Sequence, residues 1–150
     1  ILLVHKGQKT VSSTVGHGLL DNNPYAEARF AQAGKNMTKM KAILKSGDLD
    51  AFIELVESEA LTLHSLMMSS NPYFILMKPE TLQVIEAIWK KRAEDGVKWS
   101  FTLDAGANVH FLYPQADKDS AARFIESELK QYCENGAYIY DEVGMGAERV

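Results

Sequence analysis

The sequence predicts an α+β domain of ferredoxin-like split βαβ order, a four-stranded antiparallel sheet with several helices inserted before the second strand. Three observations predict it. Trp99, Phe101 and Leu103 alternate with Lys98, Ser100 and Thr102, and Val109, Phe111 and Tyr113 repeat the alternation after residues 104–108, so two half-buried strands flank a short loop. Apolar runs near either end, Ile1-Leu2-Leu3-Val4 and Ala137-Tyr138-Ile139-Tyr140, read as two further strands. Between the first strand and the pair lie long stretches with apolar residues at helical spacing. Right-handed crossovers put the first run in the middle of the sheet, which suits its lack of polar residues.

In chain order, Ile1-Leu2-Leu3-Val4 is followed by Gly7 and Lys9, which end the strand. Val11-Ser12-Ser13-Thr14-Val15-Gly16-His17-Gly18 reads as an ordered, glycine-punctuated loop. Its hydroxyls and main-chain donors suit phosphate oxygens, or else they cap a short helix. Asn23 and Pro24 predict the cap and first residue of a long helix whose buried stripe is Phe30, Ala33, Met37, Met40 and Leu44. Gly34 within it is read as a point of close packing. Ser46-Gly47-Asp48 ends that helix and caps a second, lined by Leu49, Phe52, Ile53, Val56, Ala60, Leu63 and Met67, with Glu54 and Glu57 on the wet side. Ser69-Ser70-Asn71-Pro72-Tyr73 is a loop. Pro79 opens a third helix with Leu82, Ile85, Ile88 and Trp89 on its apolar face, and Asp95-Gly96 stops it. After the strand pair, Asp117 is expected to cap a fourth helix through Ala121, Phe124, Ile125, Leu129 and Tyr132, ended by Asn135-Gly136. The tail Gly144-Met145-Gly146 is read as mobile.

Composition narrows the function. The chain has 150 residues and a net charge of −4, which argues against binding nucleic acid or an anionic membrane surface. No apolar run is long enough to span a bilayer, and no signal peptide is visible. The single cysteine, Cys133, is expected to be a small buried residue; it leaves no internal disulfide framework and suits a reducing, cytoplasmic setting. Ile1 lies inside an apolar run without a preceding Met, and is read as the cut end of a longer chain. The four histidines, His5, His17, His64 and His110, form no i, i+4 pair, so no metal site is supported; His64 reads as a satisfied core or surface residue. No nucleophile elbow, Walker loop or dinucleotide fingerprint is present.

Two loops remain. In Asp104-Ala105-Gly106-Ala107-Asn108 the small residues leave main-chain N–H groups open to a ligand, Gly106 can take positive φ, and Asp104 stands at the mouth. The same residues also suit a plain hairpin turn. A carboxylate can act on a hydroxyl proton, and hydroxyls with main-chain donors can hold a phosphate group, but neither loop completes an active site.

Together the loops carry a resemblance. Val11-Ser12-Ser13-Thr14-Val15-Gly16 resembles the Val-Ser-Ser-Thr-x-Gly segment of diphosphomevalonate decarboxylases, and Thr102-Leu103-Asp104-Ala105-Gly106-Ala107-Asn108 resembles their Thr-Phe-Asp-Ala-Gly-Pro-Asn motif. The order of elements is similar to the C-terminal half of that family, within the superfamily of galactokinase and the homoserine, mevalonate and phosphomevalonate kinases. Ala107 stands where the family has Pro, and His17 where it usually has Met. The resemblance implies that residues 1–150 form a C-terminal, substrate-side domain, with the N-terminal ATP-binding half outside this chain. It implies an enzyme that uses ATP and Mg²⁺ to phosphorylate the 3-hydroxyl of mevalonate 5-diphosphate, then loses phosphate and CO₂ to give isopentenyl diphosphate in isoprenoid biosynthesis. Asp104 would be the catalytic residue at the 3-hydroxyl, Ala105 a main-chain contact beside it, Gly106 and Asn108 the loop formers, and Ser12, Ser13 and Thr14 the diphosphate loop. The chain's own N-terminal domain and a homodimer mate are the protein partners implied. Two rival readings stand beside this one: a sister small-molecule kinase of the same superfamily, and a ferredoxin-like ligand-binding module without chemistry.

Overall fold

Glycines divide the helical half of the chain. Gly47 and Gly96 adopt left-handed φ of 74° and 69°, and each donates its N–H to a carbonyl one turn back, which ends the helix before it. The helices so delimited are α1 (Ala26–Ser46), α2 (Leu49–Met68) and α3 (Pro79–Asp95). The Asp48 side chain caps α2 by accepting from the Ala51 N–H, and Pro79 occupies the first turn of α3, both as the sequence predicts. The computed structural model describes residues 1–7 and 23–144; the expected loop at 11–18, with Ser12, Ser13 and Thr14, lies outside the described residues, as does most of the Gly144-Met145-Gly146 tail.

The strand pair forms where expected. Strand β1 (Ser100–Leu103) runs antiparallel to β2 (Val109–Leu112), with Ser100 opposite Leu112 and Leu103 opposite Val109. The four-stranded sheet is only partly realised: among the described residues two segments are strands. The two end runs contribute single bridges, in which Leu2 pairs with Val109 on one side and with Tyr138 on the other. Leu2 and Val109 exchange both main-chain bonds, at 2.8 and 3.2 Å. The first run then leaves the sheet because the Val4 N–H turns back to the Leu2 carbonyl. The last run begins late because Asn135 and Gly136, both at positive φ, close a turn that returns the Gly136 and Ala137 N–H groups to Cys133 and Glu134.

The core lies between this layer and α3 with the following helical segment. Trp99, Phe101, Val109, Val84, Ile88, Ala121 and Leu129 are almost wholly buried. Trp99 sits edge-on to Phe111, ring centroids 5.6 Å apart, and 5.4 Å from Phe124. The expected fourth helix is not one regular helix. After a short turn at Gln115–Asp117 come α4 (Lys118–Phe124), one wide π turn (Ile125–Leu129) and a tight turn (Lys130–Tyr132), which together bring Ala121, Phe124, Ile125 and Leu129 to the core.

Several sequence expectations are corrected by the tertiary packing. Most of the α1 stripe faces outward: Phe30 and Met37 are 59% exposed and Leu44 65%, while Ala33 and Met40 are half-buried. That helix meets α2 through polar groups instead. Arg29 pairs with Glu59 at 2.7 Å and the Asn36 amide donates to Glu59 at 2.6 Å. Among the described residues nothing would lie within 4 Å of a Cβ on Gly34, so it marks no close packing. Asn23 does not cap α1 directly. Its Oδ1 accepts from the Tyr25 N–H, and its amide, buried, donates to the Leu66 carbonyl. Glu57 is not on a wet face; it is 7% exposed, held by Arg92 at 2.7 and 3.0 Å and by the Trp89 indole at 2.8 Å. Leu82 is largely exposed and Trp89 partly so, leaving Ile85 and Ile88 to fill the core from α3. The Asp117 side chain accepts from the Trp99 indole rather than capping the helix.

Candidate active site

The loop at 104–108 joins the ends of β1 and β2 and is held from four directions. Its own turn closes when the Gly106 N–H donates to the Asp104 carbonyl at 2.8 Å. The same carbonyl lies 3.0 Å from Nε2 of His64 on α2. Since a carbonyl only accepts, the imidazole donates and carries its proton on Nε2. Thr81, in the first turn of α3, donates its hydroxyl to the Ala107 carbonyl at 2.6 Å and accepts the Lys78 N–H at 3.1 Å. The Asn108 side chain accepts the His5 N–H at 2.9 Å, tying the loop to the first segment of the chain. His64 and Thr81 are each at most 1% exposed, so these bonds are shielded from water.

Positive φ among the described glycines occurs at Gly47, Gly96 and Gly136. The bend at Gly106 therefore rests on these bonds, with no left-handed backbone.

Asp104 itself is exposed, and Ala105 beside it is half-buried, while Gly106 and Ala107 are buried. Asp104 lines a cleft of about 270 Å³. Leu3, His5, Lys6 and Gly7 form one wall of the cleft, and Asp104, Gly106, Ala107 and Asn108 the other. Glu134 shapes the first wall. Its carboxylate accepts the Lys6 N–H at 2.7 Å and lies 3.4 Å from Nδ1 of His5. One acidic and two basic side chains thus line a small polar cleft with a rigid floor. Such a site can bind an anionic molecule and present a carboxylate to one of its hydroxyls.

The His64 pKa is lowered by burial, against the opposing pull of the Asp104 carbonyl. Neutral imidazole is therefore the form that holds the loop near neutral pH. Of the residues that sequence reasoning put at the site, Asp104, Gly106 and Asn108 line the cleft, and Ala105 lies half-buried beside them. It missed His64 and Thr81, whose only sequence signals were a polar residue on an apolar helix face and Thr two residues after an initiating Pro. It also missed the wall at His5 and Lys6. Ser12, Ser13 and Thr14 lie outside the described residues; Gly7, at the cleft, precedes Ser12 by five positions. Among the described residues no group of three His, Cys, Asp or Glu side chains could hold a metal ion. No helix among them is long and apolar enough to cross a membrane.

Comparison with known families decides the kinship of this fold. The model of the mevalonate 5-diphosphate decarboxylase C-terminal domain matches residues 1–145. The chain belongs to this family. A curated relative, phosphomevalonate decarboxylase of Haloferax volcanii, is 33% identical over 84 residues, 56% of this chain and 26% of its own length. The crystal structure of a mevalonate diphosphate decarboxylase from Legionella pneumophila superposes with a TM-score of 0.80 at 27% identity, over 89% of this chain and 42% of that one. A further structure, solved in complex with MVAPP, AMPPCP and magnesium, shares the fold at a TM-score of 0.79 and 23% identity, over 88% of this chain and 40% of that one. The chain thus spans about a quarter of the curated relative and two fifths of the solved chains.

Proposed function

We propose that this chain is the substrate-side, C-terminal part of an ATP-dependent decarboxylase acting on a phosphorylated mevalonate. The observation that carries the reading is Asp104: an exposed carboxylate on a loop fixed from α2, α3 and the first segment, facing a cleft lined by His5 and Lys6, in a chain of the decarboxylase family. Asp104 would orient the 3-hydroxyl of the substrate and take its proton. Ala105 would meet the substrate through its main chain, with Gly106 and Asn108 shaping the loop. Ser12, Ser13 and Thr14 would receive the substrate's phosphate groups, since five residues reach at most about 18 Å from Gly7 at the cleft wall.

ATP would supply the phosphoryl group that turns the 3-hydroxyl into a leaving group, with Mg²⁺ neutralising its charge. Loss of that phosphate with cleavage of the bond to the carboxylate releases CO₂ and leaves a carbon–carbon double bond. The ion and the nucleotide would be held by an N-terminal half that completes the cleft. Residues 1–150 alone would not turn over substrate. The pairing order Tyr138, Leu2, Val109, Leu103 supports the ferredoxin-like sheet as the frame of this domain. A cytoplasmic location and a homodimer belong to the same reading.

The substrate is proposed to be mevalonate 5-diphosphate. The Haloferax volcanii relative, a phosphomevalonate decarboxylase, favours the 5-monophosphate as the second reading. Coupled ADP release and CO₂ evolution on the full-length enzyme test both. Asp104→Asn is expected to lower kcat by about 10²–10⁴-fold with KM changed only a few-fold. Near-normal kcat in that variant would return Asp104 to the role of a turn residue. Comparing kcat/KM for the two phosphorylated mevalonates decides between the substrates.

A further inference from the structure

We infer that His64 is a positioning residue for Asp104: its Nε2–H holds the Asp104 carbonyl and thereby sets where the Asp104 carboxylate points. The inference rests on the proposed role of Asp104, and it concerns a side chain that touches no substrate. Three observations carry it. His64 is 1% exposed, on a helix that packs directly against β1, so the imidazole has a fixed place. Its bond at 3.0 Å goes to the main chain of the very acid that lines the cleft, while His64 itself is not among the lining residues. The carbonyl that receives it also receives the Gly106 N–H, so a single oxygen fixes both the entry to the loop and its tight turn.

An apolar residue would fill the same space at less cost in burial, since an unpaired polar group is expensive to bury. A histidine there is explained by what it bonds. Asp104 is the first residue after β1, free of the ladder register that fixes Leu103. With the His64 bond lost, its peptide plane would be held less firmly and could swing the carboxylate off a hydroxyl that it must meet within hydrogen-bond reach. Thr81 and His5 anchor the far end of the loop, at Ala107 and Asn108, and His64 acts at the Asp104 end.

The test uses the full-length enzyme with His64→Leu and His64→Gln. Glutamine can place an amide N–H near the position of Nε2; leucine cannot. His64→Leu is expected to lower kcat by about 10–100-fold with KM for the phosphorylated mevalonate within about threefold, the split expected when a geometry needed in the transition state is lost. Calorimetry should give unchanged stoichiometry, which separates mispositioning from a shrunken folded fraction. His64→Gln should recover kcat to within about fivefold of wild type. Equal kcat in wild type and His64→Leu, or a glutamine variant no better than leucine at full stoichiometry, would overturn the inference.

A readout independent of turnover keeps it separate from the proposed reaction. In ¹⁵N spectra of the same protein, His64→Leu should shift the amides of residues 104–106 and speed their exchange with solvent, and His64→Gln should restore them. If wild type shows no decarboxylation while the amides respond this way, the proposed reaction fails and the anchoring stands. Amides indifferent to both substitutions would overturn the anchoring itself.

Discussion

Helix α1 and strand β1 carry apolar residues of similar size and meet opposite fates. On β1, Phe101 and Leu103 are buried where the strand meets α2, α3 and β2, and Trp99 just before them is enclosed by Phe111 and Phe124. On α1, Phe30, Met37 and Leu44 stand in solvent, while the contact with α2 is made by Arg29 and Asn36 on Glu59. In that polar contact, Arg29 keeps Nε and Nη1 buried with no hydrogen-bond partner among the described residues. The difference teaches that apolar spacing marks which residues share a face, and that the neighbours decide whether the face is covered. The loop with Asp104 grows from the covered region, so its geometry is backed by a packed core.

The contrast can be broken by substitution. Phe101→Ala should destabilise the protein by about 3–5 kcal/mol, the cost of a large cavity in a core that cannot collapse onto it. Phe30→Ala is the counterpart and should stay within about 0.5 kcal/mol. Chemical denaturation of the two variants checks the pair, and equal losses would mean that the α1 stripe is buried after all.

Glu57 links the two regions, since α2 carries it and α3 supplies Arg92 and Trp89. Glu57→Ala leaves Arg92, which also donates to the Trp99 carbonyl, without its carboxylate. A loss of about 2–3 kcal/mol is expected, above that of an exposed ion pair such as Lys98–Asp50.

His64 gives the covered region a pH signature. Its folded pKa lies below the ordinary value of 6.5 because burial disfavours the charged ring. Below about pH 6.5 the unfolded chain therefore binds the proton more readily, and stability falls as pH drops from there toward the folded pKa. Melting temperatures from pH 7.5 to 5 should decline more steeply in wild type than in His64→Gln; parallel curves would remove His64 as the cause.

The smallest effect sharpens the exposed side. Gly34→Ala should stabilise α1 by about 0.5–1 kcal/mol, because the helix gains propensity and no described residue lies where the methyl would go. Destabilisation in thermal melts would show that α1 is closely covered there.

Much of the fold was legible because it is written locally. Gly47, Asp48, Pro79 and Gly96 set helix ends through backbone conformation and capping, which depend on a few neighbouring residues. The alternation around residues 104–108 revealed both strands and the loop between them, and the motif there named Asp104, Ala105, Gly106 and Asn108 as one cluster. Less was legible where partners come from afar. Glu57 reads as a solvated acid until Arg92 and Trp89, more than thirty residues on, are brought to it. The Asn23 side chain keeps its Oδ1 on the Tyr25 N–H before α1 while its amide reaches Leu66, and the Asp117 side chain was taken by Trp99 instead of the expected helix end.

By itself, then, the sequence determined the helix limits at Gly47, Asp48, Pro79 and Gly96 and the strand pair around residues 104–108, since periodicity, caps and turn residues act within one element. Only the tertiary structure decided which apolar faces are covered, that the end runs meet at Leu2 by single bridges, and that His64 and Thr81 hold the loop around Asp104. Those are contacts across 26 to 136 positions of chain, and they exist only once packing has brought the elements within hydrogen-bond distance.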